Sequence, residues 1–412
     1  MRLRVWPILC GAVLISTSTA WPQFVEPKRP APPPSYAPNG AVKWPEFKPR
    51  PGPVASMKLL APNRGWALSM RRILWTDNGG ASWKDITPSD LNDAEISGIF
   101  FLDASHGWVV FARGEPDVLG GMTLDLASTE NGGVSWSVAP MRLPDWLLQS
   151  LVGVGADIAF ADPRHGWLVL QSGISQISVG HGSLLTTSDG GKSWQSPRPP
   201  DHRSKEDIGR GSVGPIVLVT PQFGWMVLGG EANDELGVTR DGAKTWQRIE
   251  LKSPVRTDQM QKFDAEWGPH DYAAYTLPSF EDLKHGYVCV TYPGVVVLFA
   301  TNDGGITWKA DRMLMGLHAG SMGTTVVSAV VNSTWITARA AWLGSAGFGL
   351  PQLKKLNYGA NVTDTTMLSP EASGIMQMTF ITPNEGWVLT SETRLLSTND
   401  GGATWTDISP PR

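Results

Sequence analysis

Apolar residues along this chain come in short runs that polar turns separate. Residues 96–102, 168–170 and 376–381 are examples, and β-branched and aromatic side chains are frequent in such runs. Runs of this length, bounded by Gly, Asn and Asp, are typical of β-strands rather than of helices. The pattern therefore predicts an all-β protein in which strand follows strand.

One eight-residue turn recurs six times in the same register. The octet has the form Thr-x-Asp/Asn-Gly-x-x-Ser/Thr-Trp, at residues 76–83, 129–136, 187–194, 239–246, 301–308 and 398–405. An Asp or Asn in the third position bonds to nearby backbone, and Gly supplies positive φ angles. The final Trp covers the turn. We therefore predict that each octet joins two antiparallel strands. The side chains at its third and eighth positions are predicted to be structural: Asn78, Trp83, Asn131, Trp136, Asp189, Trp194, Asp241, Trp246, Asp303, Trp308, Asp400 and Trp405.

A Gly-aromatic pair opens the apolar run ahead of each octet, as in Gly166-Trp167 and Gly386-Trp387. With the run before it and the strand after the octet, each repeat has four strands. Four-stranded units at this spacing are typical of propeller blades. Residues 323–368 contain two strand-like runs without an octet, which predicts one degenerate blade. The expected fold is a seven-bladed β-propeller of four-stranded antiparallel blades, near residues 54–88, 94–140, 155–198, 213–250, 276–312, 323–368 and 374–409. We expect the ring to close in one of two ways, by side-chain packing or by an added strand at residues 42–47.

The N-terminus predicts export. Arg2 and Arg4 precede a short apolar stretch, and small residues at 18–20 form a cleavage site. Residues 1–20 are therefore interpreted as a signal peptide, residues 21–53 as a Pro-rich linker and residues 54–412 as the propeller. Cys10 follows Leu9 rather than a small residue, so a lipid anchor is not expected. The mature chain is expected to be periplasmic or extracellular and to have no membrane span.

Composition excludes several classes of function. A formal net charge of −4 offers no basic field for nucleic acid. The sequence has no metal-ligand spacing and no phosphate-binding loop, so neither metal nor cofactor is expected. Signal cleavage leaves Cys289 without a disulfide partner, and the apolar run around it predicts a small buried side chain. We expect a monomer.

The octets resemble the Asp-box (BNR) repeats of sialidase-like propellers. Together with the Gly-Trp strands, they resemble the Ycf48/HCF136 family of photosystem II assembly factors. This resemblance implies an exported binding scaffold with a protein partner and no catalysis. The alternative is a sialidase-like glycoside hydrolase that acts on extracellular carbohydrate. Against it, the Arg-Ile-Pro signature of sialidases is absent, and Asn63-Arg64-Gly65-Trp66 stands in its place.

Long insertions all fall in the loops between strands two and three or between blades. They occupy residues 113–121, 171–182, 197–211, 252–277 and 339–355. In an antiparallel blade these loops share one face, which is therefore the predicted binding face for a protein or carbohydrate. The binding candidates there are Arg113, Arg210, Trp267, His270, Tyr272 and Arg339. If the chain is an enzyme, Glu266 and Asp271 are the candidate catalytic acids; otherwise the 252–277 insertion is an ordered loop anchored by Trp267 and Tyr272.

Overall fold

The computed structural model describes residues 52–91, 94–114, 121–148, 155–172, 181–197, 213–228, 235–268, 272–315, 326–332, 334–339, 352–356, 365–367 and 375–411. The predicted signal peptide, nearly all of the predicted linker and the possible extra strand at residues 42–47 lie outside the described residues. Statements about structure below concern the described part of the chain.

The strands form seven antiparallel sheets in chain order. Sheet 1 contains β1 (Val54–Ala61), β2 (Arg64–Ser69), β3 (Arg72–Thr76) and β4 (Lys84–Asp85). Sheet 2 contains β5 (Glu95–Phe101), β6 (Gly107–Gly114), β7 (Met122–Thr129) and β8 (Ser137–Pro140). Sheet 3 contains β9 (Gly155–Phe160), β10 (Gly166–Ser172) and β11 (His181–Thr187). Sheet 4 contains β12 (Val213–Leu218), β13 (Gly224–Leu228), β14 (Glu235–Thr239) and β15 (Gln247–Ile249).

Sheet 5 contains β16 (Ala274–Tyr275), β17 (Ser279–Phe280), β18 (Gly286–Tyr292), β19 (Val295–Thr301) and β20 (Lys309–Met315). Sheet 6 contains β21 (Val326–Val331), β22 (Thr334–Arg339), β23 (Gln352–Leu356) and β24 (Thr365–Met367). Sheet 7 contains β25 (Ile375–Phe380), β26 (Gly386–Thr390), β27 (Leu395–Thr398) and β28 (Thr406–Asp407). Two α-helices interrupt this pattern, α1 (Asp145–Leu148) and α2 (Asp258–Trp267), with a 3₁₀ turn at Ser89–Leu91.

The prediction of an all-β propeller with four-stranded antiparallel blades is confirmed, but the predicted number of seven such blades is wrong: six are present, and the remaining sheet is incomplete. Six sheets have four strands side by side. In sheet 5 the first of these four is split into two short strands, β16 and β17, which both pair with β18. Sheet 3 has three strands, and beyond its octet only Gln195 pairs with Thr186. Pro197 follows two residues later and has no N–H to continue a ladder. The ladder therefore stops after one bridge.

Buried apolar clusters join each sheet to the next. One cluster combines Trp66 and Trp75 of sheet 1 with Phe101 of sheet 2, and corresponding clusters follow around the ring. The last cluster packs Met57 of sheet 1 against Trp387 of sheet 7. Burial of this apolar surface is the main stabilising term for such an assembly.

Hydrogen bonds reinforce the contact between the first and last sheets. The Val54 amide donates to the Thr393 carbonyl at 2.9 Å, and the Gly52 amide donates to the Pro410 carbonyl at 2.8 Å. Among the described residues, closure therefore rests on side-chain packing and these main-chain bonds. This is one of the two alternatives that the sequence left open.

The octet turns owe their shape to local hydrogen bonds. In residues 187–194, the Thr187 hydroxyl donates to Asp189 Oδ1 at 2.8 Å, and the Ser193 hydroxyl donates to Asp189 Oδ2 at 2.6 Å. The Ser193 amide also donates to Asp189 Oδ1 at 3.0 Å. The carboxylate thus bonds to backbone four residues on, not two as a simple Asx turn would. Gly190 and Gly191 both have positive φ angles, 80° and 93°, which glycine adopts without steric cost.

Three of the octet tryptophans, Trp83, Trp246 and Trp308, pack against an aromatic residue of the neighbouring sheet. Ring centroids are 5.7 Å apart for Trp246 and Trp167 and 5.7 Å apart for Trp308 and Trp225. Among the six, Trp194 is buried and the other five are half-buried. A Trp at this position therefore stabilises the contact between blades as well as its own turn.

Replacing Asp189 by Asn is expected to leave stability nearly unchanged, because Asn131 makes the same contacts in its octet. There, Nδ2 donates to the Ser135 hydroxyl at 2.8 Å and Oδ1 accepts from the Ser135 amide at 2.9 Å. Asp189→Leu removes the acceptor and should cost about 1 kcal/mol or more of unfolding free energy, as loss of a cap does. Urea denaturation of both variants tests this. Equal, large losses would point instead to a charge-dependent role.

Cys289 lies in β18 and is 2% exposed. Burial raises the pKa of its thiol to about 12, although a hydrogen bond with Ser328 acts in the opposite direction. The prediction of a small buried side chain is confirmed. A thiol with this pKa is a poor nucleophile at neutral pH.

Candidate binding face and axial site

Two opposite faces of the ring follow from the strand order. The loop between the first and second strands of a sheet bonds directly to the octet of that sheet: Gly132 N donates to Ser105 O, and Gly190 N donates to Arg164 O, both at 2.9 Å. These loops and the octets form what we call the octet face. The remaining loops lie at the other ends of the strands and form the long-loop face.

Three loops of the octet face share a local Asp–His pair: Asp103 with His106, Asp162 with His165, and Asp282 with His285. Hydrogen bonds from the side chain and backbone of His285 and from the Lys284 backbone lower the pKa of Asp282 to about 2. The carboxylate accepts two backbone N–H groups of its own loop, at 2.7 Å each. The pairs therefore shape the loops.

The 252–277 insertion contains a helix that the sequence analysis did not predict. Thr257 caps α2, with its hydroxyl oxygen accepting from the Met260 amide at 3.1 Å, and Asp258 in the first turn suits the positive end of the helix dipole. The helix ends at Gly268, whose φ is 90° and whose amide donates to Asp264 O at 3.0 Å. The Thr at the N-cap position was the sequence signal for this helix, but the prolines and glycines nearby favoured a loop.

Helix α2 is fixed to sheet 5 on the long-loop face. The Thr257 hydroxyl donates to the carbonyl of Pro293, in the β18–β19 turn, at 2.5 Å. Met260 is fully buried, and the Tyr292 hydroxyl bonds to Leu251 O at 2.5 Å beneath the insertion. The opposite side of the helix, which includes Lys262 and Glu266, is exposed. The insertion is thus an anchored helix that presents polar side chains to solvent.

The structure places some of the predicted site residues and leaves others undescribed. Glu266 is exposed on α2, and the Tyr272 hydroxyl donates to Gly268 O at 2.8 Å with its ring against Phe263. Tyr272 therefore does fasten the insertion. The side chains of Trp267 and Arg339 and the whole of Arg210, His270 and Asp271 lie outside the described residues, so their roles stay predictions.

Arg113 has several intramolecular partners. Its Nε donates to Asp125 Oδ2 at 2.7 Å, and its NH2 donates to Asp90 O at 2.6 Å. The guanidinium carbon also lies 5.2 Å from the centroid of the Phe111 ring. These contacts tie the end of β6 to β7 and to the 3₁₀ turn at Ser89–Leu91, so a structural role is sufficient to explain Arg113.

A second candidate site lies on the first strands, which sequence reasoning missed. First strands of neighbouring sheets contact one another, as β5 does with β9 and β9 with β12, so they form the inner wall of the ring. Lys58 of β1 extends over Phe100 of β5, with its amine 5.5 Å from the ring centroid. Asp157 of β9 interacts electrostatically with that amine, and its Oδ2 accepts from the Ile216 amide at 2.7 Å. We call Lys58, Phe100 and Asp157 the axial site.

Both ionisable groups of the axial site have perturbed pKa values. Desolvation raises the pKa of Asp157 to about 7, although the Ile216 amide and the Lys58 amine act in the opposite direction. Desolvation lowers the pKa of Lys58, opposed by Asp157. By accessible surface, Lys58 is exposed and Asp157 is half-buried. A charge inside each otherwise apolar strand was the sequence signal for this site.

Asp157→Asn is expected to reduce the pH dependence of stability. In the unfolded chain an Asp ionises near pH 4, whereas here the pKa is about 7. Folding therefore takes up a proton between these values, and the wild-type protein loses stability as pH rises through that window. Melting temperatures measured across the window should fall less steeply for the variant. If the melting temperatures of the two proteins change with pH in parallel, the pKa of Asp157 is not raised in the folded protein.

The described residues do not supply the acid pair of a glycoside hydrolase. Such enzymes require two carboxyl groups that flank the scissile bond. Desolvation raises the pKa of Asp157 to about 7, but its electrostatic partner is a lysine and not a second carboxyl group. In the same part of the chain, no three His, Cys, Asp or Glu side chains form a metal-binding group. The geometry therefore does not favour the hydrolase alternative.

Comparison with known proteins points to one kind of relative. No protein-family model matches the chain. The photosystem II assembly lipoprotein Ycf48 of Synechococcus sp. (strain CC9902) is 24% identical over 281 residues, covering 61% of this chain and 72% of the relative. The solved structure of YCF48 bound to D1 peptide has a TM-score of 0.51 and 15% identity, covering 87% of this chain and 96% of that one. The chain therefore resembles Ycf48 in sequence as well as in fold.

Enzymes are also among the structures with a similar fold. The GH74 xyloglucanase of Xanthomonas campestris has a TM-score of 0.57 and 14% identity, covering 88% of this chain and 55% of the enzyme. This chain thus spans about half of that enzyme. At such identity the likeness shows the fold alone. Among the described residues, no helix has the length and apolar composition needed to cross a bilayer.

Proposed function

We propose that this protein is an exported, non-enzymatic binding scaffold of the Ycf48 type, a propeller with Asp-box turns that holds a protein partner on its long-loop face. The observation that carries the proposal is α2, a capped helix anchored to sheet 5 whose exposed side carries polar residues. A rigid scaffold with an elaborated loop on one face is the usual arrangement for recognition.

The relatives support a protein partner rather than a carbohydrate. The curated relative is named as an assembly lipoprotein, and the solved structure is of a YCF48 with a bound peptide. Export is supported by the signal-like residues 1–20, and a monomer suffices because the ring closes within one chain. N-terminal sequencing of the mature protein should begin at Trp21.

Charge reversal on α2 tests the binding face. Glu266 is exposed and, unlike Asp264, is not part of the ion pair with Arg256, so Glu266→Lys should leave the fold intact. Combined with Lys262→Glu, it changes the charge pattern of the exposed side of α2. We expect both variants to recover less of the native partner than wild type does in affinity purification from envelope extract.

Glu130→Lys is the matched control, because it makes the same charge change at an exposed position in an octet. It should recover the partner as wild type does. If Glu130→Lys reduces recovery and the α2 variants do not, the partner binds the octet face and the proposed face is wrong. Melting temperatures of all variants separate lost binding from lost folding.

A further inference from the structure

Two of the six octets contain an Asn-Gly pair, Asn78-Gly79 and Asn131-Gly132, and both asparagines are exposed. Asparagine deamidates when the backbone nitrogen of the next residue attacks the side-chain carbonyl carbon and ammonia leaves. Water then opens the resulting succinimide to aspartate or isoaspartate. A glycine in the next position has no side chain to obstruct the attack. The sequence alone therefore marks both asparagines as labile.

The octet of sheet 1 holds both reacting groups of its Asn-Gly pair in hydrogen bonds. Asn78 Oδ1 accepts from the Thr76 hydroxyl and from the Ser82 amide, both at 2.9 Å, and Nδ2 donates to the Ser82 hydroxyl at 2.8 Å. The Gly79 amide, whose nitrogen would attack, donates to the Asn63 carbonyl at 2.7 Å. The attack requires this N–H to lose its proton and the side-chain amide to turn toward the nitrogen, so it breaks these bonds.

Asn131 has the same set of bonds in sheet 2. Its Oδ1 accepts from the Thr129 hydroxyl at 3.0 Å and from the Ser135 amide at 2.9 Å, and its Nδ2 donates to the Ser135 hydroxyl at 2.8 Å. The Gly132 amide donates to the Ser105 carbonyl at 2.9 Å. Two separate turns thus hold the nucleophile and its target in the same way.

The two products of deamidation differ in whether the octet can form again. Aspartate fits, because Asp189 occupies this position in sheet 3 and accepts from the Ser193 hydroxyl at 2.6 Å. Isoaspartate does not fit, because it passes the main chain through the former side chain and adds a carbon to the backbone of the turn. Formation of isoaspartate in an opened turn therefore prevents that turn from closing.

We propose that Asn78 and Asn131 are latent modification sites: the closed octet keeps both as amides, and opening of the turn in sheet 1 or sheet 2 permits deamidation. The reaction consumes water and releases ammonia, and its rate follows the fraction of turns that are open. The other four octets have Asp at this position and no amide to lose. Deamidation of octets is therefore confined to the first two sheets. This inference does not depend on the proposed function.

Peptide mapping by mass spectrometry, after incubation of the mature protein at mildly alkaline pH, tests the proposal. We expect both sites to deamidate about tenfold or more slowly in native buffer than in urea that unfolds the protein, since an opening free energy of about 1.4 kcal/mol reduces the open fraction tenfold. Asn39-Gly40, in the predicted linker, has no octet around it and corrects for the effect of urea on the chemistry. Equal corrected rates in buffer and in urea at Asn78 and Asn131 overturn the proposal.

Thr76→Val separates protection by the octet from protection by the fold as a whole. Val keeps the shape of Thr but removes the hydroxyl that donates to Asn78 Oδ1 and accepts from the Gly80 amide at 2.9 Å. Deamidation at Asn78 should become about fivefold faster, the effect expected from loss of one hydrogen bond. Asn131 in the same molecule is the matched control, and its rate should not change.

Thr129→Val should give the reverse result, with Asn131 faster and Asn78 unchanged. An unchanged ratio of the two rates in a folded Thr76→Val protein overturns the proposal. Circular dichroism checks folding. If Thr76→Val does not fold, Ser82→Ala at an exposed position removes the acceptor of Asn78 Nδ2, and the same ratio then decides.

Discussion

Trp194→Ala is expected to lower the free energy of unfolding by about 3–5 kcal/mol, the usual cost of removing a buried aromatic side chain. Trp194 is 4% exposed and belongs to the cluster that joins sheets 2 and 3. It meets Phe160 edge to face, with centroids 6.2 Å apart. Its indole N–H has no partner among the described residues, so the loss comes from packing rather than from a hydrogen bond.

Urea denaturation measures this loss, with Val134→Ala as the control. Val134 lies in an octet but is 71% exposed, so its truncation should change stability by no more than about 0.5 kcal/mol. Similar small changes in both variants would show that the octet tryptophan does not stabilise the contact between blades.

Gly305→Ala is expected to cost about 2–5 kcal/mol of unfolding free energy. Gly305 has φ 76°, where an L-residue costs about 1–2 kcal/mol. A Cβ there would lie 2.3 Å from Cζ2 of Trp225, a fully buried ring, and overpacking of this kind costs about 1–3 kcal/mol. Thermal or urea unfolding gives the difference directly.

Ala243 provides the matched control because it occupies the same octet position in sheet 4. Its φ is 71° and it is 1% exposed, so that turn already accommodates a methyl group. Ala243→Gly relieves backbone strain but removes a buried methyl group, and these effects oppose each other, so the net change should be within about 1 kcal/mol. If Gly305→Ala changes the free energy of unfolding as little as its control does, the Trp225 ring has room to move. The inferred clash between a Cβ at residue 305 and that ring is then wrong.

The octets and Gly-aromatic strands could be predicted because their determinants are local. Thr187, Asp189 and Ser193 bond to one another within one turn, and the two glycines between them set its backbone. Side chains so close in sequence meet in almost any fold that forms the turn. Six repetitions of such a turn then favour a propeller over other all-β folds.

The candidate site was only partly predictable. The 252–277 insertion was identified from its length and composition, but α2 depends on burial of Met260 and on the bond from Thr257 to Pro293, which is distant in sequence. The axial site was missed for the same reason. Lys58 and Asp157 belong to different blades, and only the packing of blades around the ring places both of their strands on its inner wall.

The sequence by itself determined the turns, the alternation of strands and the aromatic position that ends each octet, because each depends on residues within a few positions of one another. Tertiary structure decided which of the six octet tryptophans is fully buried, how sheet 1 meets sheet 7 and which charges share the inner wall. It also shows sheet 3 with three strands, where Pro197 follows a single bridge. These outcomes depend on packing between blades. Packing brings together residues that are far apart in the sequence, and no repeating sequence pattern shows which of them will meet.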